Sequence, residues 1–210
     1  MSFDPQCRRC ERLTSFLCQV RQRHPDYHAA PVAPFGGARA RLLVVGLAPG
    51  MHGANATGRP FTGDHAGILL YRTLYETGFS NQPEGASVGD GLKLRDCRIT
   101  NAVKCLPPEN KPVGAEINNC NTYLAQEIAA MPKRGVAVAL GSIAHQAVLK
   151  AMGRRAAEFP FGHGSEHRLS QGLLLIDSYH CSRYNTQTRR LTPEMFSAIF
   201  RRARQVLDAL

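Results

Sequence analysis

Apolar positions along this chain follow two periodicities. Short, near-continuous apolar runs at 41–46 (RLLVVG), 97–103 (CRITNAV), 135–141 (GVAVALG) and 172–177 (GLLLID) read as strands buried on both faces. Each precedes a stretch with helical spacing, at about 66–78, 114–131, 142–152 and 192–208. The last is the plainest. Thr192 can cap it, Pro193 suits its first turn, and Phe196, Ile199, Phe200, Ala203 and Leu207 form one stripe. Arg201, Arg202 and Arg204 lie mostly off that stripe and read as a solvated face rather than a nucleic-acid contact. Strand–helix alternation predicts an α/β fold, a mostly parallel sheet covered on both faces and joined by right-handed crossovers. Ahead of this series, 5–24 reads as a helix and 25–40 as a Pro/Gly/Ala-rich connection, while 80–96 and 104–113 are polar loops. No repeat or second domain shows in the pattern, so residues 1–210 are expected to form one domain.

Between the first strand and its helix lies GLAPGMHGANATGRPFTGD, residues 46–64. Five glycines and two prolines there are interspersed with His52, Asn55, Arg59, Phe61 and Asp64, whereas a flexible linker would carry small polar residues. Glycine lets backbone approach a ligand closely and proline stiffens the path. A ligand-binding loop at the carboxyl end of a strand is expected, where open α/β sheets place their sites.

Charge narrows the partner. The formal net charge of +10 favours a polyanion, because neutralising phosphates releases counterions. The chain has no apolar run long enough to span a bilayer, and MSFDPQCRRC lacks the apolar core of a signal peptide. A cytoplasmic location is expected, with the nucleoid as the site of work if the partner is DNA. Of seven cysteines, Cys7 and Cys10 form C-x2-C, Cys105 and Cys120 form C-x14-C, and Cys18, Cys97 and Cys181 are left over. Four converging thiolates suit zinc or an iron–sulfur cluster, and would clamp the N-terminal helix onto the sheet. Four unrelated buried cysteines are the bland alternative.

Two further constellations sit at strand ends. Residues 177–185, DSYHCSRYN, put His180 where the 46–64 loop should also lie, and a histidine there can stabilise charge developing on a leaving group. Ser182, Arg183, Tyr184 and Asn185 follow it, with a cation and an aromatic ring suited to phosphate and base contact. Asn101, in TNAVK, offers a donor and an acceptor matched to a pyrimidine edge. Gly141-Ser142 opens another helix and reads as structural.

Together, GLAPGMHGANATGRPFTGD at 46–64, TNAVKCLPPENKP at 100–112, YHCSRYNTQTRRLT at 179–192 and the four cysteines resemble the uracil-DNA glycosylase superfamily, most closely its family 5, the iron–sulfur type b enzymes. The resemblance implies a three-layer αβα fold around a central four-stranded parallel sheet and a [4Fe-4S] cluster on Cys7, Cys10, Cys105 and Cys120. The expected partner is DNA carrying damaged bases, duplex and single-stranded, and a monomer is expected. It implies hydrolysis of the N-glycosidic bond of uracil and other damaged bases. Phe61 would stack on the flipped base, Asn101 would read its edge, and His180 would stabilise the departing base. Gly46, Ala48 and Gly50 would line the pocket, and Ser182, Arg183, Tyr184 and Asn185 would meet DNA. Two departures stand out. The best-known branch carries a water-handling aspartate and a methyl-excluding tyrosine where this chain has Ala48 and Gly50. Asp64 is then the leading carboxylate, against a plain helix-capping role, and Gly50 predicts a roomier pocket with broad specificity. Cys181 stands where the family usually has proline, which predicts a less rigid His180 loop. A damage-binding module without turnover and an iron–sulfur electron carrier are the rival classes.

Overall fold

The computed structural model describes residues 3–209; Met1, Ser2 and Leu210, the ends of the expected 1–210 domain, lie outside the described residues. In chain order the strands are β1 (Phe35–Gly36), β2 (Leu42–Gly46), β3 (Cys97–Asn101), β4 (Val136–Leu140), β5 (Glu166–Arg168) and β6 (Leu174–Ser178). The helices are α1 (Glu11–Arg23), α2 (Ala54–Thr57), α3 (His65–Glu76), α4 (Gly114–Ala130), α5 (Ser142–Ala151), α6 (Arg183–Gln187) and α7 (Pro193–Asp208). The four apolar runs form the parallel centre of one sheet of order β1-β3-β2-β4-β6-β5. The sheet therefore has six strands, not four, because antiparallel β1 and β5 extend its two edges. Those edge strands are two and three residues long and carry no periodicity that a sequence pattern can register.

Register explains the two apolar faces. Val44 pairs with Ile99 on one side and Val138 on the other, and Val138 pairs with Ile176. This row packs against α3 and α7 through Leu70, Leu74, Phe196 and Phe200. One residue along, Leu43, Ala137 and Leu175 face the opposite side, against α4 and α5 through Leu124, Ile128, Ala147 and Val148. Each strand thus buries both faces, which is why the runs lack alternation. Thr192 accepts from Met195 N–H (3.2 Å) and caps α7 as expected. Two arginines of α7 are spent on the protein itself. Arg202 forks onto Glu166 of β5 (2.6 and 3.0 Å), and Arg204 lies over the Phe79 ring at 3.7 Å.

The N-terminal helix is shorter than 5–24. Asp4 accepts from the Gln6 N–H at 2.8 Å and Cys7 N–H bonds Asp4 O, a local turn that competes with helix and delays α1 to Glu11. Cys7 and Cys10 therefore precede the helix. Leu13, Leu17 and Val20 of α1 pack on Ala29, Val103 and Leu106, which lays the helix beside the loop that follows β3. Among the described residues no helix is long and apolar enough to cross a membrane.

Candidate active site

The carboxyl ends of β2, β3 and β6 share one rim, and the loops leaving them enclose a cavity of about 510 Å3. Phe61, Asp64, Asn101 and His180 all line it, as do Ala48 and Gly50. Gly46 stands opposite Asn101 in the β2–β3 register. A Cβ there would overlap Asn101 Oδ1 and come within 2.7 Å of Phe61 Cζ, so a glycine is what lets the carboxamide and the ring meet over the strand end. Asn101 is buried, yet its carboxamide makes no hydrogen bond among the described residues. Phe61 has φ +62°, a left-handed conformation that costs a side-chain-bearing residue about 1–2 kcal/mol.

Long-range contacts hold Phe61 in that conformation. Arg59 forks onto Asp90 (2.9 and 2.7 Å), bonds Thr62 at 2.6 Å and lies over the Phe35 ring, while Tyr71 donates to Pro60 O. The guanidinium holds the Asp90 carboxyl well below the usual carboxylate range, against the opposing effect of burial.

Asp64 occupies the N-cap position of α3, but its side chain makes no cap hydrogen bond. The carboxylate turns back instead and accepts from Ala54 N–H, at the start of α2, at 3.1 Å. There it packs against Gly50 and Gly53, where a Cβ on either glycine would collide with it. The space that Gly50 leaves is thus filled by a carboxylate. Burial raises the Asp64 pKa, with the Ala54 N–H opposing it.

His180 follows β6, its ring near-parallel to Phe61 (24°) at a centroid separation of 6.1 Å. The ring makes no hydrogen bond among the described residues, and burial lowers its pKa to about 4, so it is neutral at pH 7. Its loop is well held without proline. The Asn185 amide donates to His180 O at 2.8 Å, Ser182 caps α6 by accepting from Asn185 N–H, and Cys181 is wholly buried in the core. Ser182 and Asn185 are therefore committed to the loop, although Ser182 also lines the cavity; exposed Arg183 lines the cavity too, and Tyr184 is exposed beside it in sequence.

On the far side of the β3 loop, Cys7, Cys10, Cys105 and Cys120 line one small cavity with Asn119, whose amide lies 3.4 Å from Cys10 Sγ. Burial pushes the Cys105 and Cys120 thiols up, and the neighbouring sulfurs add to it. Four thiolates so gathered need a positive centre among them, which fits a metal cluster. A second polar group, His145, His167 and Asp177, does not leave room for an ion. Its members touch at hydrogen-bond distance (2.7 and 3.0 Å), and His145 Nε2 is spent on Phe159 O.

Sequence reasoning did not find Asp90, His65 or Asn110, the last two of which also line the cavity. His65 follows Asp64 directly and was within reach of the motif; the Arg59–Asp90 pair spans 31 residues and leaves no local signal.

The family model described as the uracil DNA glycosylase superfamily matches residues 33–204. The chain is 45% identical over 205 residues to the type-5 uracil-DNA glycosylase of Thermus thermophilus, covering 95% of this chain and 93% of that one. It is 43% identical to the type-5 uracil-DNA glycosylase of Pyrobaculum aerophilum (94% and 87% covered). A type-4 uracil-DNA glycosylase of the same organism is 37% identical over 131 residues, 62% of this chain and 59% of that one.

Proposed function

The chain belongs to the type-5 branch of the uracil-DNA glycosylase superfamily, and from that premise we propose that it removes uracil from DNA by hydrolysing the N-glycosidic bond, leaving an abasic site. The observation that carries this reading is the unspent hydrogen-bonding capacity around one cavity: the Asn101 carboxamide, the His180 ring and one oxygen of Asp64 have no partner among the described residues. These groups converge on one cavity with hydrogen-bonding capacity to offer a ligand.

The base leaves the helix stack at a cost of a few kcal/mol, lowest for mispaired or damaged bases. Phe61 offers a ring face for stacking and Asn101 a donor and an acceptor for the base edge. His180, neutral, donates a hydrogen bond to the charge that builds on the departing base. Asp64 faces the sugar as it becomes positive and orients or deprotonates the attacking water. Arg183 and Tyr184 fill the hole left in the duplex. A cavity of about 510 Å3 lies within the range of small-molecule sites, which supports acceptance of other deaminated or modified bases, although Asp64 takes up the room at Gly50. Cys7, Cys10, Cys105 and Cys120 would hold a [4Fe-4S] cluster, which supplies one-electron chemistry that glycosidic hydrolysis does not use. The thiolates then serve to tie α1 to the β3 loop. The protein works as a monomer in the cytoplasm, at the nucleoid.

The test is incubation with a uracil-containing duplex followed by hot alkali. Cleavage at uracil requires a base-free site, and a damage binder without turnover gives none. Asn101→Ala should abolish most of that cleavage across a panel of modified bases; wild-type cleavage by Asn101→Ala would remove the asparagine from the mechanism. Activity confined to uracil would defeat the broad specificity.

A further inference from the structure

We propose that Lys104 is a positioning residue for base reading, its buried ammonium holding the end of β3 so that the Asn101 carboxamide stays in the cavity. The proposal rests on the role given to Asn101 above. Lys104 Nζ donates to Asn101 O at 2.8 Å and to Thr100 Oγ1, and lies 2.8 Å from Glu127 Oε1. Lys104 and Glu127 side chains are 2% and 8% exposed. Lysines are almost never so buried unless paired. Neither Glu127 carboxylate oxygen makes a hydrogen bond among the described residues, so its charge is answered by the nearby ammonium as an ion pair.

Two of the three groups at the ammonium belong to the last residues of β3. With its carbonyl held, the Asn101 peptide cannot turn, and the side chain, lying across Gly46, keeps one direction. The anchor also adjoins the cysteine quartet. Lys104 directly precedes Cys105, and Glu127 lies two turns beyond Cys120 on α4, both buried. Lys104 thus sits where the reading strand runs into the cysteine quartet. Fold stability does not call for such a pair, because well-packed apolar residues in place of a buried ion pair are often neutral or stabilising.

Removing both charges together avoids a lone buried ion, so the variant is Lys104→Met with Glu127→Leu. It is compared with the wild type in single-turnover excision of uracil, in affinity for a duplex carrying an abasic-site analogue, in visible absorption of the cluster and in Tm. We expect excision to slow by about 10–100-fold while abasic-duplex affinity stays within about twofold and absorption and Tm are retained. In an Asn101→Ala background the same double change should cost less than about twofold more, since the two act as one unit. Thr100→Val, which removes one anchor at the same shape, should slow excision several-fold in the same pattern, and it carries the test should the pair variant fold poorly. Excision within about twofold of wild type by both variants overturns the proposal, as does an equal loss of abasic-duplex affinity. Near-wild-type excision by Asn101→Ala would instead overturn the role of Asn101 itself, which separates the two failures.

Discussion

Asp64→Asn should separate activity from stability, because the burial that would suit the proposed catalytic carboxylate makes it costly to fold. The carboxylate has one hydrogen bond, from Ala54 N–H at 3.1 Å, and is packed between Gly50 and Gly53. Burial raises its pKa. For an acid the sign is then fixed: the folded state binds its proton more tightly than the unfolded state, so ionisation at neutral pH costs stability, and the cost is recovered as pH falls through the raised pKa. Asparagine keeps an acceptor for Ala54 and removes the charge. At pH 7.5 the variant should therefore melt higher, by about 2–4 °C for each kcal/mol released in a chain of this size, and the gain should vanish toward pH 4. Its single-turnover excision of uracil should fall by about 10²–10⁴-fold, or about 2.7–5.4 kcal/mol of barrier. In the wild type the acid limb of that rate should lie above the ordinary carboxylate range and be absent from the variant. Gly50→Ala offers an orthogonal check, since its Cβ would push the Asp64 oxygen out of place and slow excision with the carboxylate still present. Excision within tenfold of wild type, or a lower Tm at pH 7.5, would refute the reasoning.

His180 should titrate near pH 4 when followed by NMR of its ring carbons, leaving no limb of the rate near 6.5; titration near 6.5 would mean that the ring is not desolvated. As its neutral form is the one favoured by the fold, this histidine should subtract stability as pH falls from 6.5 toward 4. Asp90→Ala leaves the Arg59 guanidinium, 8% exposed, without its partner and should cost about 3–5 kcal/mol, a drop in Tm of about 6–20 °C, with excision slowed as Phe61 loses its clamp. A calorimetric scan that shows no change would place the pair among surface bridges. Replacing Arg183 and Tyr184 with alanine together should slow excision from duplex more than from single strands, and equal losses would argue against a wedge.

What the sequence made legible was whatever has a local signature. Buried parallel strands announce themselves as unbroken apolar runs, and the glycine spacing of 46–64 marked a loop that lines the cavity. The four cysteines were assigned from spacing and resemblance, and they line one cavity. Features that escaped are made by distance in the chain. β1 and β5 are two and three residues long and exist because β3 and β6 offer edges. Asp64 looks like a helix cap by position, and only the glycines at 50 and 53, brought close by α2, show why its side chain turns away.

The same distinction bears on how the site keeps its shape. Phe61 sits in a left-handed conformation, a cost to the folded state, and Asn101 and His180 face the cavity without a side-chain hydrogen bond among the described residues. Two of these three are not fixed by their own neighbours in sequence alone. Phe61 depends on Arg59 reaching Asp90, Asn101 on Lys104 reaching Glu127, and His180 on the Asn185 amide and the burial of Cys181. Two of the three anchors are ion pairs with little solvent contact, where removing one partner is far more damaging than at the surface. Substitutions at Asp90 or Glu127, neither of which lines the cavity, should therefore impair excision, whereas changes to the solvent-exposed Arg155–Glu158 pair should leave it intact.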